Sequence, residues 1–165
     1  WGGLYMTEAE KLHWADVKNN WYQGLIANMK PEEVLPGVLP FLDEVRNSGG
    51  RTALSSASRN AWAVLKSTRL ESYFDVVLDG SAARKAKPHP ECFLLAAASL
   101  QLAPAECIVF DDAVLGVRAA RIGGFHIVGI GKPEHLPDAE LVIPGFTDCR
   151  LSDILESVEK MATVG

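Results

Sequence analysis

The chain has no run of apolar residues close to the roughly 18–20 that would cross a bilayer, so no membrane span is expected in it. It has no excess of basic charge either. Sixteen Lys and Arg against 21 Asp and Glu leave a net charge of −5, which argues against nucleic-acid binding through a general basic surface and leaves room only for a local basic pocket. Paired cysteines are missing: Cys92, Cys107 and Cys149 are odd in number, far apart and form no C-x-x-C. A disulfide framework or zinc site is not expected, each thiol reads as small apolar filler, and a reducing cytoplasm fits best. The four histidines, His13, His89, His126 and His135, have no ligand spacing. His89, beside Lys87, reads as loop filler or as a residue reaching a pocket. Trp1-Gly2-Gly3-Leu4-Tyr5 has neither the basic flank nor the apolar run of a secretory leader, and it lacks an initiator Met. A start of this kind reads as cut, or begun mid-protein.

No repeat or low-complexity linker is present. The 165 residues are 48% hydrophobic, enough for one core and tight for two. Thr7-Glu8-Ala9-Glu10 is a capping box, and Leu12, Trp14, Val17, Trp21, Leu25 and Ile26 recur after it at roughly helical spacing. Pro31 and Leu35-Pro36-Gly37 close this region. Helices are then expected over 38–47, 61–68, 90–100, 115–122 and 151–161. Short apolar strands are expected at 52–55, 75–78, 107–110, 125–130 and 141–143. Strands alternating with helices imply a parallel sheet covered on both faces, an α/β Rossmann-like core. Residues 1–33, which contain no strand, read as a helical appendage to a core over 34–165.

Ligands on such sheets bind beyond the carboxyl ends of the strands, so the residues there carry most weight. Ser55-Ser56-Ala57-Ser58-Arg59-Asn60 could hold a phosphate with hydroxyls, backbone N–H groups and the guanidinium fork, or could be an N-cap followed by a solvated arginine. In Lys85-Ala86-Lys87-Pro88-His89-Pro90 the prolines would hold Lys87 in place to balance charge on a transferring phosphoryl group; the plainer reading is a basic surface loop. Asp111-Asp112 could bind Mg²⁺, which favours one or two carboxylates plus waters and a phosphate oxygen; the plainer reading is an acid near a helix start beside a solvated one.

Taken in order, these stretches resemble the haloacid dehalogenase superfamily, and in detail its β-phosphoglucomutase-like branch. The matching segments are Val34-Leu35-Pro36-Gly37-Val38, Leu54-Ser55-Ser56-Ala57-Ser58-Arg59-Asn60, Lys87-Pro88-His89-Pro90-Glu91-Cys92-Phe93 and Phe110-Asp111-Asp112-Ala113-Val114-Leu115-Gly116-Val117. The resemblance covers nearly the whole chain from about Thr7. It implies that Ser56 bonds the transferring phosphoryl group and that Lys87 neutralises it. Asp111 and Asp112 would help hold Mg²⁺, Asp112 directly. Ser58, Arg59 and Asn60 would grip a second, non-transferring phosphate. Lys18 would face the substrate from a helical cap, of which residues 1–33 are the remnant; read without the resemblance, Lys18 is a solvated helix residue. The implied reaction is Mg²⁺-dependent phosphoryl transfer on a sugar phosphate through an aspartyl phosphate. The alternatives are a small-metabolite phosphatase, or a non-catalytic domain that retains phosphate binding.

The superfamily's nucleophile motif, Asp-x-Asp on a first strand, is the departure. No Asp-x-Asp occurs anywhere in these residues. The resemblance puts that strand mid-sheet, between those at 52–55 and 107–110. Three arrangements follow: a fragment of a complete enzyme, a strand supplied by another chain or a swapped copy, or direct pairing of the two flanking strands in an inactive protein. The chain alone is expected to be inactive. Two rival nucleotide-binding folds fail on spacing. Gly129-Ile130-Gly131 is followed by Lys132-Pro133-Glu134, without the third glycine of a dinucleotide-binding turn, and a P-loop over Gly124 to Gly129 would have Ile130 where its lysine belongs.

Overall fold

The computed structural model describes residues 6–162; the Trp1–Tyr5 start lies outside them. In chain order the elements are α1 (Glu8–Ala27), α2 (Val38–Asn47), β1 (Ala53–Ser55), α3 (Ala61–Thr68), β2 (Val76–Leu78), α4 (Glu91–Leu100), β3 (Ile108–Asp111), α5 (Val114–Gly123), β4 (His126–Ile130), β5 (Leu141–Ile143) and α6 (Leu151–Ala162). The expected helices and strands are all present, with ends displaced by a residue or so. One displacement matters, because the third strand runs to Asp111 and carries that carboxylate on its last residue.

All strand pairs are parallel, in two separate ladders. β1 pairs with β2, with Ser55 opposite Leu78, and β4 lies between β3 and β5. Among the described residues β1 and β3 share no ladder, so each has one edge without a strand partner. Direct pairing of the two flanking strands is therefore wrong. Each strand is already held by a partner on one side, and α4, packed on β1 and β2 as well as on α5, links the two sheets instead.

The β3–β4–β5 sheet is covered on both faces, as buried parallel sheets must be. Successive strand residues point to opposite sides, and here that alternation divides the core. Val109 and Ile127 join Phe93, Ala97, Val117, Ala120 and Phe125 on the α4–α5 side. Ile108, Phe110 and Val128 join Phe41, Ile154 and Val158 on the α2–α6 side. Phe41, Phe110 and Phe146 form an aromatic cluster there, with centroids 5.1–5.8 Å apart. The cysteines are free and half-buried, two against the first cluster and Cys149 against the second. Burial pushes the thiols of Cys107 and Cys149 up.

The Thr7 capping box forms: Thr7 Oγ1 accepts from Glu10 N–H and Glu10 Oε2 accepts from Thr7 N–H. The apolar spacing of α1 is helical, as expected, but its stripe does not face the core. Trp14, Val17, Trp21 and Leu25 are exposed, Trp21 at 68%, while Ile26 is buried. The helix lies against α3 and meets it partly through polar amides rather than through that stripe. Among the described residues no helix is long and apolar enough to cross a membrane.

Candidate active site

Ser56, Ser58 and Asn60 follow β1 in a tight turn. Ser56 N–H continues the ladder by donating to Leu78 O at 2.9 Å. Ser56 Oγ accepts from Ser58 N–H, and Ser58 Oγ accepts from Asn60 N–H, both at 3.1 Å. Each hydroxyl thus fixes the backbone two residues on, a local bond that serine forms readily outside regular helix. A second loop clamps this turn: Gly80 N–H donates to Ser58 O at 3.1 Å, and a Cβ at Gly80 would lie 2.2 Å from Ala57 O. Only glycine allows that approach. On the same loop Asp79 accepts from the Ser81 hydroxyl and N–H. Those bonds hold its carboxyl below the usual aspartate value, and the nearby Arg59 charge acts in the same direction. Arg59 is exposed.

The Asn60 side chain reaches α1. Its Nδ2 donates to Asn19 Oδ1 at 2.9 Å, and its Oδ1 accepts from Gln23 Nε2 at 3.3 Å. The amide therefore ties α1 to the start of α3. Lys18, one position before Asn19, is exposed.

Lys87 leaves the loop after β2 and reaches the end of β3. Its Nζ donates to Asp111 Oδ2 at 2.7 Å, with the side chains 21% and 10% exposed. This ion pair bridges the two sheets at their carboxyl ends. Asp111 Oδ1 accepts from Ala113 N–H at 2.9 Å. A Cβ at Gly116 would fall 2.1–2.2 Å from the Asp111 carboxylate, so the absent side chain at 116 is the space the carboxylate occupies. His89 does not enter the pair. Its Nδ1 accepts from Glu91 N–H at 3.2 Å, at the start of α4, and its Nε2 meets Lys85 Nζ at 3.3 Å. Asp112 is exposed, and among the described residues its carboxylate has no hydrogen-bond or ion-pair partner.

The structure thus joins Lys87 to Asp111 directly and builds Ser56 and Ser58 into one turn with Asn60, whose side chain belongs to the α1 contact. A concavity of about 480 Å³ at the amino end of β4 is lined by Arg121, His126, Asp138 and Glu140, and another of about 250 Å³ lies between β5 and α6. Neither includes Ser56, Lys87 or Asp112. Sequence reasoning missed Asn19 and Gln23, although polar residues four apart on a helix share a face. It also missed the spatial need for Gly80 and Gly116.

Residues 6–124 match the family model described as haloacid dehalogenase-like hydrolase. The β-phosphoglucomutase of Bacillus subtilis is 35% identical over 154 residues, which are 93% of this chain and 68% of that protein. The chain belongs to the haloacid dehalogenase-like hydrolases, on their β-phosphoglucomutase-like branch. A fructose-1-phosphate phosphatase of Escherichia coli is 36% identical over 96 residues, covering 56% of this chain and 51% of its own length. The crystal structure of β-phosphoglucomutase from Clostridium difficile superposes with a TM-score of 0.90 at 34% identity, over 96% of this chain and 71% of that one. These relatives are mutases and sugar phosphatases, all longer than the stretch they share with this chain.

Proposed function

We propose that this chain is the greater part of a Mg²⁺-dependent phosphoryl-transfer enzyme acting on a sugar phosphate, with a hexose-phosphate mutase as the parent activity. The observation that carries the reading is the Lys87–Asp111 pair at 2.7 Å, a fixed ammonium at the carboxyl ends of both sheets beside a free acid. Phosphoryl transfer asks the protein mainly for positioning and for positive charge or donors aimed at the phosphoryl oxygens. Lys87 supplies that charge. Ser56 supplies a hydroxyl whose lone pair is already committed to Ser58 N–H, so its proton is free to point at a phosphate oxygen.

The carboxylates fit Mg²⁺, which takes one or two carboxylates and keeps several waters. Asp112 would hold it directly, while Asp111, engaged by Lys87, would lie beside it. No cluster of three or more His, Cys, Asp or Glu occurs among the described residues. When bound, the ion shields the charge of the phosphate.

The nucleophile is assigned to an Asp-x-Asp strand outside these residues, delivered by a complementing segment or a swapped copy. The unpaired edges of β1 and β3 suit a parallel strand laid between them. Residues 1–33 are read as the remainder of a helical cap and 34–165 as the core, in a cytoplasmic protein. A phosphatase is the second reading, and one observation favours it. Asn60 already bonds Asn19 and Gln23, so a second phosphate would be gripped chiefly by Arg59, Ser58 and Lys18.

The purified 165-residue chain, assayed with Mg²⁺ and hexose 1-phosphates, should show no turnover. Co-expression with the Asp-x-Asp segment of a relative should restore it, as isomerisation for a mutase or phosphate release for a phosphatase. Steady hydrolysis by the chain alone would refute the assignment of the nucleophile.

A further inference from the structure

The Lys87 ammonium touches a second group that the phosphate-site reading leaves unused. Its Nζ lies 4.4 Å from the centroid of the Phe93 ring. That is well inside the roughly 6 Å over which a ring's negative face attracts a cation. Asp111 and Phe93 belong to different elements, the end of β3 and the first turn of α4, so they constrain the ammonium independently.

A lysine side chain has four rotatable carbons and loses rotamer entropy when it is held in one place. One carboxylate contact fixes the distance to one point and leaves the stem free to swing about it. The ring supplies a second point. It cannot drift itself: Phe93 is 7% exposed, and it packs edge-on against Phe125 at 6.0 Å and 64°. Phe125 in turn fills space left by Gly123, where a Cβ would come within 2.6 Å of its ring.

Leucine would fill an apolar site among Ala97, Val109 and Val117, but it has no π face to attract a cation. The contact also has a distinct use once an anion arrives. A phosphate competes with Asp111 for the ammonium's protons, whereas the ring face makes no such demand and stays in contact while Lys87 is shared.

Resting on the phosphate site proposed above, we propose that Phe93 is the positioning residue for Lys87, holding its ammonium toward the bound phosphate.

The test uses the full chain labelled with ¹³C-lysine, titrated with inorganic phosphate in the presence of Mg²⁺ and read by NMR. In the wild type the Lys87 ε-protons should resonate upfield of the other lysines because of the ring current, and should stay there at phosphate saturation. Phe93→Leu should abolish that shift and weaken phosphate binding at Lys87 about fivefold. Phe93→Tyr, which keeps the π face, should restore both. Phosphate affinity unchanged in a folded Phe93→Leu variant overturns the positioning role and leaves the phosphate site standing. Absence of phosphate binding at Lys87 in the wild type overturns the site itself. If Phe93→Leu does not fold, the wild type decides: loss of the upfield shift at saturation means the ring does not hold the bound-state ammonium, and the proposal falls.

Discussion

Lys87 Nζ donates to Asp111 Oδ2 at 2.7 Å across the two sheets. The pair exists in this form because position 116, one turn into α5, has no side chain. Glycine inside a helix costs about 0.5–1 kcal/mol relative to alanine, so Gly116 would be a weak point of α5 if it did nothing else.

Gly116→Ala should therefore fail to gain the usual helix stability. The methyl group meets the Asp111 carboxylate, and overpacking of this kind costs about 1–3 kcal/mol. Chemical denaturation should show a loss of that size. Combining Gly116→Ala with Asp111→Ala removes the clash, so the double variant should cost clearly less than the sum of the single ones. Additive costs would mean that the two residues do not compete for the same space.

Asn60 should act on α1 more than on the core. Asn60→Ala removes the bonds to Asn19 and Gln23, worth about 1 kcal/mol each at most for neutral, partly exposed partners. Amide hydrogen exchange should speed up along α1 and stay unchanged in β3, β4 and β5. Equal acceleration in the sheet would show that Asn60 supports the whole fold.

Asp79 gives a pH dependence of known sign. Its folded carboxyl titrates below the ordinary value of 3.8, chiefly because of Ser81. Between the folded and ordinary values the unfolded chain binds more protons, so stability rises with pH there. The contribution is complete above the ordinary value and is lost as pH falls through the folded one. Asp79→Asn should flatten the acid limb of a stability–pH curve below about pH 4 and leave its neutral region parallel to wild type. An unchanged acid limb would show that the Ser81 bonds do not persist in solution.

The sheet was legible because each strand is a short apolar run closed by polar or glycine residues, and a parallel sheet buried on both faces tolerates nothing else. Residues 107–110 and 141–143 show this most clearly. Asp111 and Lys87 stood out because charge at a strand end is rarely idle. What local pattern could not show was the identity of contacts between distant elements. The stripe of Trp14, Val17, Trp21 and Leu25 has core-like spacing yet faces outward, because period reveals a face and not what lies against it. Asn60 reads as a phosphate ligand by its place after Arg59, and its contacts to residues 37 and 41 positions earlier have no local signal. Gly80 and Gly116 are ordinary glycines until the neighbouring backbone and carboxylate are in place.

The central claim is that Ser56, Lys87 and Asp112, carried by three separate segments, surround one phosphate with its cation. Mn²⁺ can replace Mg²⁺ and broadens NMR signals near its site. Added with inorganic phosphate to ¹⁵N-labelled protein, it should broaden the amides of 56–60, 86–87 and 111–113 together, and Asp112→Asn should abolish all three effects at once. Broadening confined to 111–113, with the other two segments sharp at saturating phosphate, would contradict a shared site.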